Sequence, residues 1–544
     1  MSKQLECLFL PTIQPKAEGE EWQDDPGIFI PAVLIGRSRR RWHCERDEDQ
    51  MNRRDFVRLG CATVIAAGAR TLPLALAQPL TPRQLPSPSQ RPTMALLEPK
   101  ATDGAADFTL QIAPMTVELA PQVVISTIGY SNKVPGPLLR VREGQRVAVE
   151  VVNDTDVPEY VHWHGLFVPS DVDGAEEEGT PPVPRHGRRR YQFVAKPAGS
   201  RWYHSHTEAM LDLHRGAYTG QFGFLMIDSA NDPGGYDQEV FLALREWEPF
   251  LTTVDPDEEQ TDPNDPMPEK SAIPDPRPDG LQVSAPLYSI NDKMLGAGDP
   301  LRVRLGERVL MHLLNASASQ IHRIGLFGHH FQVIALDGNP VPAPQAVDVI
   351  EIAPGERVDA IMEMNLPGVW ILGELRDAAR QSGMGIVVEY ANQAQPRPQW
   401  LPPPKARWDY TLFGKPAPHP TPDQTIDMVF EKVPGGLYGI NHWLVNGKEY
   451  PHEREFVFRQ GGRYRLVFHN RSDDSHPLHM HRHLFELVEL NGKPTAGIMK
   501  DTVVVPAFGR ATVDLVADQP GLTLFHCHIQ HHMDFGFKAL FRYA

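Results

Sequence analysis

One short phrase is written three times along this chain, and it constrains the fold more than any other feature. Leu139-Arg140-Val141-Arg142-Glu143-Gly144-Gln145-Arg146-Val147 returns as Leu301-Arg302-Val303-Arg304-Leu305-Gly306-Glu307-Arg308-Val309. It returns again from Phe456-Val457-Phe458 through Gly461-Gly462 to Tyr464-Arg465-Leu466-Val467. In each copy apolar residues alternate, a glycine breaks the run, and alternation resumes, as in two half-buried strands joined by a turn. The spacing between copies is far too long for a solenoid. Phe108-Thr109-Leu110-Gln111-Ile112 and Arg146–Val152 alternate in the same way, punctuated by Pro135-Gly136-Pro137 and Asn153-Asp154. Long amphipathic helical patterns are nearly absent, so the expectation is an all-β chain of three homologous sandwiches.

At 544 residues the chain exceeds one ordinary core, which calls for two to three domains. Its 41% hydrophobic and 22% charged residues are those of a globular protein, with no apolar run able to span a bilayer. A formal net charge of −16 argues against nucleic acid or an anionic membrane as partner. Cys7, Cys44 and Cys61 lie near the N-terminus, leaving Cys527 alone in the body, where it has no disulfide partner.

Asn52-Arg53-Arg54-Asp55-Phe56-Val57-Arg58 reads as a twin-arginine export address. An apolar segment follows to Ala77, and Ala75-Leu76-Ala77 offers a cleavage site, so 51–77 is expected to be a signal peptide and the protein periplasmic or secreted. Met51 is the expected start, with 1–50 a non-native or disordered extension. Residues 78–104 read as a flexible lead-in. The three sandwiches are expected at 105–232, 233–395 and 425–544. Residues 246–280 form an acidic insert in the second, and 396–424 a Pro-rich linker before the third.

The chemistry is concentrated in histidines. His162-Trp163-His164, His204-Ser205-His206, His476-Pro477-Leu478-His479-Met480-His481 and His526-Cys527-His528, with His532 beyond, form four clusters. Two-residue spacing on a strand aims both rings to one side. A thiolate between imidazoles suggests copper in an electron-transfer site, held by Cys527 and His532, with His526 and His528 turned to the opposite face.

These clusters, in this order, resemble those of the multicopper oxidases, from about Asp107 to the C-terminus. The resemblance implies three cupredoxin-like Greek-key domains and four copper ions. It places a type 1 copper on His476, Cys527 and His532, and a type 2 copper on His162 and His479. Two type 3 coppers fall on His164, His204, His206, His481, His526 and His528. The middle domain is expected to hold none, which leaves His329 and His330 structural, as are His214, His483 and His531. The axial position of the type 1 copper falls on Phe537 rather than a methionine, which implies a raised potential; Met533 has the wrong spacing. Asp173 matches the family's proton-relay aspartate. The acid that often follows the last histidine ligand is replaced by Met533, with Asp534 next. Asp473 and Asp474 are candidates for a substrate rim, and Asp501 for a support behind the ligands.

The expected activity is laccase-like: one-electron oxidation of phenols or aromatic amines coupled to reduction of dioxygen to water. The alternative donors are Cu(I) or Mn(II), although the sixteen methionines form no Met-rich insert. A non-catalytic relative should have lost ligands, and none is missing. The expected partners are dioxygen and a small-molecule or metal-ion donor.

Overall fold

The computed structural model describes residues 96–97, 104–230, 234–253, 280–392, 397–404, 408–451 and 456–544. The expected N-terminal extension and export signal, and most of the expected lead-in and acidic insert, lie outside these residues.

Six large sheets follow one another in pairs. In the first pair, one sheet runs Leu96–Leu97, Leu138–Arg142, Phe222–Asp228, Gly199–Ser205, Val161–His164, and the other Val123–Tyr130, Phe108–Ala120, Arg146–Asn153, Gly187–Val194. The middle and last pairs share a plan of six strands facing five. In the last, Phe456–Phe458, Lys538–Tyr543, Thr523–Cys527, His476–Met480 and Thr502–Val505 make the five-stranded sheet. The chain is thus three cupredoxin-like β-sandwiches.

The threefold phrase of the sequence is the crossing from one sheet of each sandwich to the other. Leu138–Arg142 leads to Arg146–Asn153, Leu301–Val303 to Arg308–Asn315, and Phe456–Phe458 to Arg463–Asn470. The turn glycines Gly144, Gly306 and Gly461 have φ of 80°, 79° and 77°, a left-handed conformation open to glycine at little cost. Their N–H groups donate to Ala195 O, Met364 O and Ala517 O in the three sandwiches. Each second strand ends on an asparagine (Asn153, Asn315, Asn470) whose Oδ1 accepts the backbone N–H two residues on. Alternating burial along Arg146–Asn153 shows one face turned to the core, as the period-two pattern predicts.

Apolar residues also join the sandwiches. Phe224 and Phe241, from the first and middle, meet edge-on at 5.2 Å, beside buried Trp202 and Trp247. The Pro-rich linker is not a bare tether. Tyr410–Phe413 forms a 3-10 turn with Tyr410 and Phe413 buried, and the Tyr410 hydroxyl donates to Glu356. Proline content signals extended chain but does not report aromatics that pack locally. Phe250–Thr252, near the start of the acidic insert, pairs with Gln282–Ser284 just beyond its end. No helix among the described residues is long and apolar enough to cross a membrane.

Candidate metal centre

Strand pairing brings the histidine clusters together. Within the first sandwich His162 lies opposite His204. Within the third His479 lies opposite His526, and Leu478 opposite Cys527. Because neighbours on a strand face opposite ways, Cys527 turns into its own sandwich while His526 turns toward the first.

Inside the third sandwich, Cys527 Sγ lies 3.6 Å from His476 Nδ1 and 3.5 Å from His532 Nδ1, and the two nitrogens are 3.2 Å apart. With Nδ1 turned to the sulfur, the His476 proton belongs on Nε2, which donates to Ser472 Oγ at 2.7 Å; that hydroxyl donates to Asn470 Oδ1. The His532 ring lies against the Trp443 indole, centroids 3.9 Å apart, and Phe537 sits 4.8 Å from the His476 ring. Burial pushes the Cys527 thiol up and His476 down to about 3. An N₂S triangle of this size, with neutral imidazoles and no competing carboxylate, suits a soft metal ion that would take the place of the thiol proton.

Between the first and third sandwiches, eight further imidazoles fall into three groups, each with its donor atoms within 4.8 Å of one another. His162 Nε2 faces His479 Nε2 at 3.4 Å. Their Nδ1 atoms are occupied, donating to Asp173 O at 2.9 Å and Asp501 O at 2.8 Å. His206 Nε2 and His481 Nε2 stand 3.4 and 3.1 Å from His526 Nε2. Again the outer nitrogens are anchored: His526 Nδ1 on Cys527 O, and His481 Nδ1 on Asp173 Oδ2 at 2.6 Å. The third group is His164, His204 and His528, in which His164 Nδ1, His204 Nε2 and both His528 nitrogens have no hydrogen-bond partner.

With the outer nitrogens protonated, the inner ones present lone pairs to each other. Burial holds His164, His204, His206, His479, His481 and His528 well below the ordinary imidazole range, so protonation does not relieve that opposition. Metal cations would relieve it, and the donor set fits imidazole-loving transition metals. Asp173, His162 and His481 also converge, but there the carboxylate accepts from ring N–H groups. That contact decides which ring nitrogen stays free; it is not a further cage.

The remaining sequence candidates divide. Asp501 accepts from His164 Nε2 at 3.0 Å, a contact hinted at only by the Lys500-Asp501-Thr502 segment. Asp473 and Asp474 are both paired with Lys432 Nζ, at 2.5 and 2.9 Å. Asp534 is buried, its pKa pushed up to about 7 by desolvation, and it accepts Ala209 N–H and Met210 N–H. His329 bonds Tyr390 OH, His483 bonds Tyr543 OH, and exposed His330 pairs with half-buried Asp348. Sequence reasoning missed Trp443 and Glu178. Glu178 is buried 3.6 Å from His481 Nδ1 and accepts Leu524 N–H at 2.6 Å.

Multicopper oxidase family models match residues 111–232, 265–385 and 417–544. The chain is 30% identical over 456 residues to multicopper oxidase MmcO of Mycobacterium tuberculosis, covering 80% of this chain and 86% of that one. It is 24% identical to Laccase-8 of Oryza sativa subsp. japonica, covering 77% and 89%. The solved multicopper oxidase of Campylobacter jejuni, described as a metallo-oxidase, superposes with a TM-score of 0.63 at 20% identity, covering 85% and 97%. The chain belongs to the multicopper oxidase family. It is therefore a copper-dependent oxidoreductase that uses dioxygen.

Proposed function

We propose that the protein is a laccase-like oxidase, taking single electrons from phenols or aromatic amines. The observation that carries this reading is one tripeptide: Cys527 belongs to the N₂S triangle, while His526 and His528 belong to two different nitrogen groups. Covalent bonds through Cys527 to its two neighbours would link the first centre to the second.

On this reading His476, Cys527 and His532 would hold a type 1 copper. His162 and His479 would hold the type 2 copper, His206, His481 and His526 one type 3 copper, and His164, His204 and His528 the other. The four ions supply one-electron acceptance and four-electron reduction of dioxygen. The chain's residues do the rest. Four donors each lose one electron, and water formation consumes four protons. Asp173, bonded to His481 and buried between sandwiches, is proposed to deliver protons to that site. Phe537 offers no thioether, which favours a high potential.

Organic donors are favoured over metal ions because the carboxylates beside the triangle are engaged. Asp473 and Asp474 share Lys432, and Glu449 pairs with His442 at 2.8 Å. Oxygen uptake with a substituted phenol, compared with Cu(I) and Mn(II), tests this. Faster turnover of the phenol supports the reading; turnover of metal ions alone refutes it. Export by the twin-arginine route is part of the same proposal, and the boundaries 105–232, 233–395 and 425–544 are the proposed extents of the three domains.

A further inference from the structure

Among the described residues, no group able to hold a metal draws on the middle sandwich, yet this sandwich reaches the centre at two points. At the first, Asp501 Oδ1 accepts from His164 Nε2, and the same carboxylate is clamped by Arg357, with Nη1 to Oδ1 at 2.7 Å and Nη2 to Oδ2 at 2.6 Å. Arg357 comes from the middle sandwich, and both side chains are fully buried. A paired fork of this kind fixes a carboxylate in direction as well as charge. Arg357 is itself held from behind, its N–H donating to Asp337 Oδ1 and its Nη1 to Gly355 O. Asp337 Oδ2 in turn accepts the backbone N–H groups of Asp501 and Thr502.

At the second point, Gly355 of the middle sandwich lies against His528. A Cβ there would come 2.6 Å from His528 Cδ2 and 2.8 Å from its Cγ, and φ is +88°. Gly165 shows the same tightness on the other side, where a Cβ would meet Asp501 Oδ2 at 2.6 Å and Arg357 Nη2 at 2.8 Å. His164 and His528 belong to one metal group, with His204, and His164 also lies within reach of His162 and His479.

We infer that the middle sandwich is an outer support of this group: Arg357, acting through Asp501, and the Gly355 backbone position His164 and His528 for metal. Arg357 is a positioning residue; it turns the free His164 Nδ1 inward by fixing the acceptor of Nε2–H. Partners of this type change metal affinity by roughly 10- to 100-fold.

The inference rests on the copper reading above, and its test separates the two. Arg357→Met, Arg357→Lys and Gly355→Ala are produced as full chains and loaded with copper. Copper per chain, the near-ultraviolet absorption and electron paramagnetic resonance of the three-copper site, and the blue copper–thiolate band are then measured. Arg357→Met is expected to weaken copper retention at the three-copper site by at least about 10-fold while keeping the blue band. Arg357→Lys should recover part of it. Gly355→Ala, which leaves every charge in place, should alter the same spectral features. An intact three-copper signature in both Arg357→Met and Gly355→Ala overturns the inference, as does parallel loss of both centres in all three variants. A wild-type protein without a blue band would refute the copper reading itself.

Discussion

The middle and last sandwiches share one strand plan and differ at one buried pocket. In the last, Leu478 is opposite Cys527 and His476 lies two residues before Leu478; in the middle, Ile324 is opposite Glu374 and His322 lies two residues before Ile324. His476 Nε2 is bonded to Ser472 and His322 Nε2 to Ser317, each serine two residues past its corner asparagine. The positions correspond, but the occupants diverge. His476 Nδ1 faces a thiol and a second imidazole. His322 Nδ1 faces Glu374 Oε2 at 3.0 Å, with Arg376 Nη2 3.5 Å away and bonded to Ile321 O. The first sandwich offers a third solution. Its corresponding pair is Glu159 and Ser205, bonded at 3.1 Å.

The fold therefore supplies a polar pocket at one corner of every sandwich, and its residues decide what fills it. Where Cys and two His line it, a metal fits; in the middle sandwich a guanidinium provides the positive charge. A buried charge set of that kind is costly to break from one side.

The largest effect that would test this contrast is Cys527→Ser. It should abolish the blue band and reduce donor oxidation to background, with folding retained. Glu374→Ala, the matching position, should cost on the order of 3–5 kcal/mol in chemical denaturation, because it removes the carboxylate that the fully buried His322 pairs with, yet leave the visible spectrum unchanged. A changed blue band in Glu374→Ala would break the claim that the two pockets are independent.

A second difference between the middle and last sandwiches is ionic. His312 of the middle sandwich sits between Asp359 at 2.8 Å and Glu239 at 3.2 Å, where the last sandwich has Val467 opposite Thr512. Burial alone lowers the His312 pKa, but the two carboxylates outweigh it and raise it to about 9, above the ordinary 6.5. Its contribution is thus complete below about pH 6.5 and is lost as pH rises through about 9, a change on the order of 3 kcal/mol. Melting temperature should fall across that range, and His312→Gln should flatten the fall. The smallest expected effect is Phe537→Met. A thioether beside the N₂S triangle should lower the reduction potential and shift the blue band without changing copper content; no shift would mean that Phe537 is packing alone.

Much of this was readable in the sequence, for a physical reason. Strand alternation is a period-two signal, so the threefold phrase exposed the sandwiches, and ligand pairs two residues apart announced which side chains share a face. All ten histidines and the cysteine singled out fall into the four groups that could hold metal. The supports were not readable. Arg357 and Asp501 are 144 residues apart, and no local spacing links an arginine in one sandwich to a carboxylate in another. Glu374 stands in the register of Cys527 without any motif around it. That Asp473 and Asp474, the candidate rim, share the buried Lys432 ammonium is likewise not visible in the sequence.

Copper loading followed by counting copper per chain, with paired visible and paramagnetic resonance spectra, tests the account most directly. Ions in a ratio of one blue centre to three others are expected, with the blue centre alone lost in Cys527→Ser. A copper-loaded protein that stays colourless, or a Cys527→Ser variant that keeps the blue band, would contradict it.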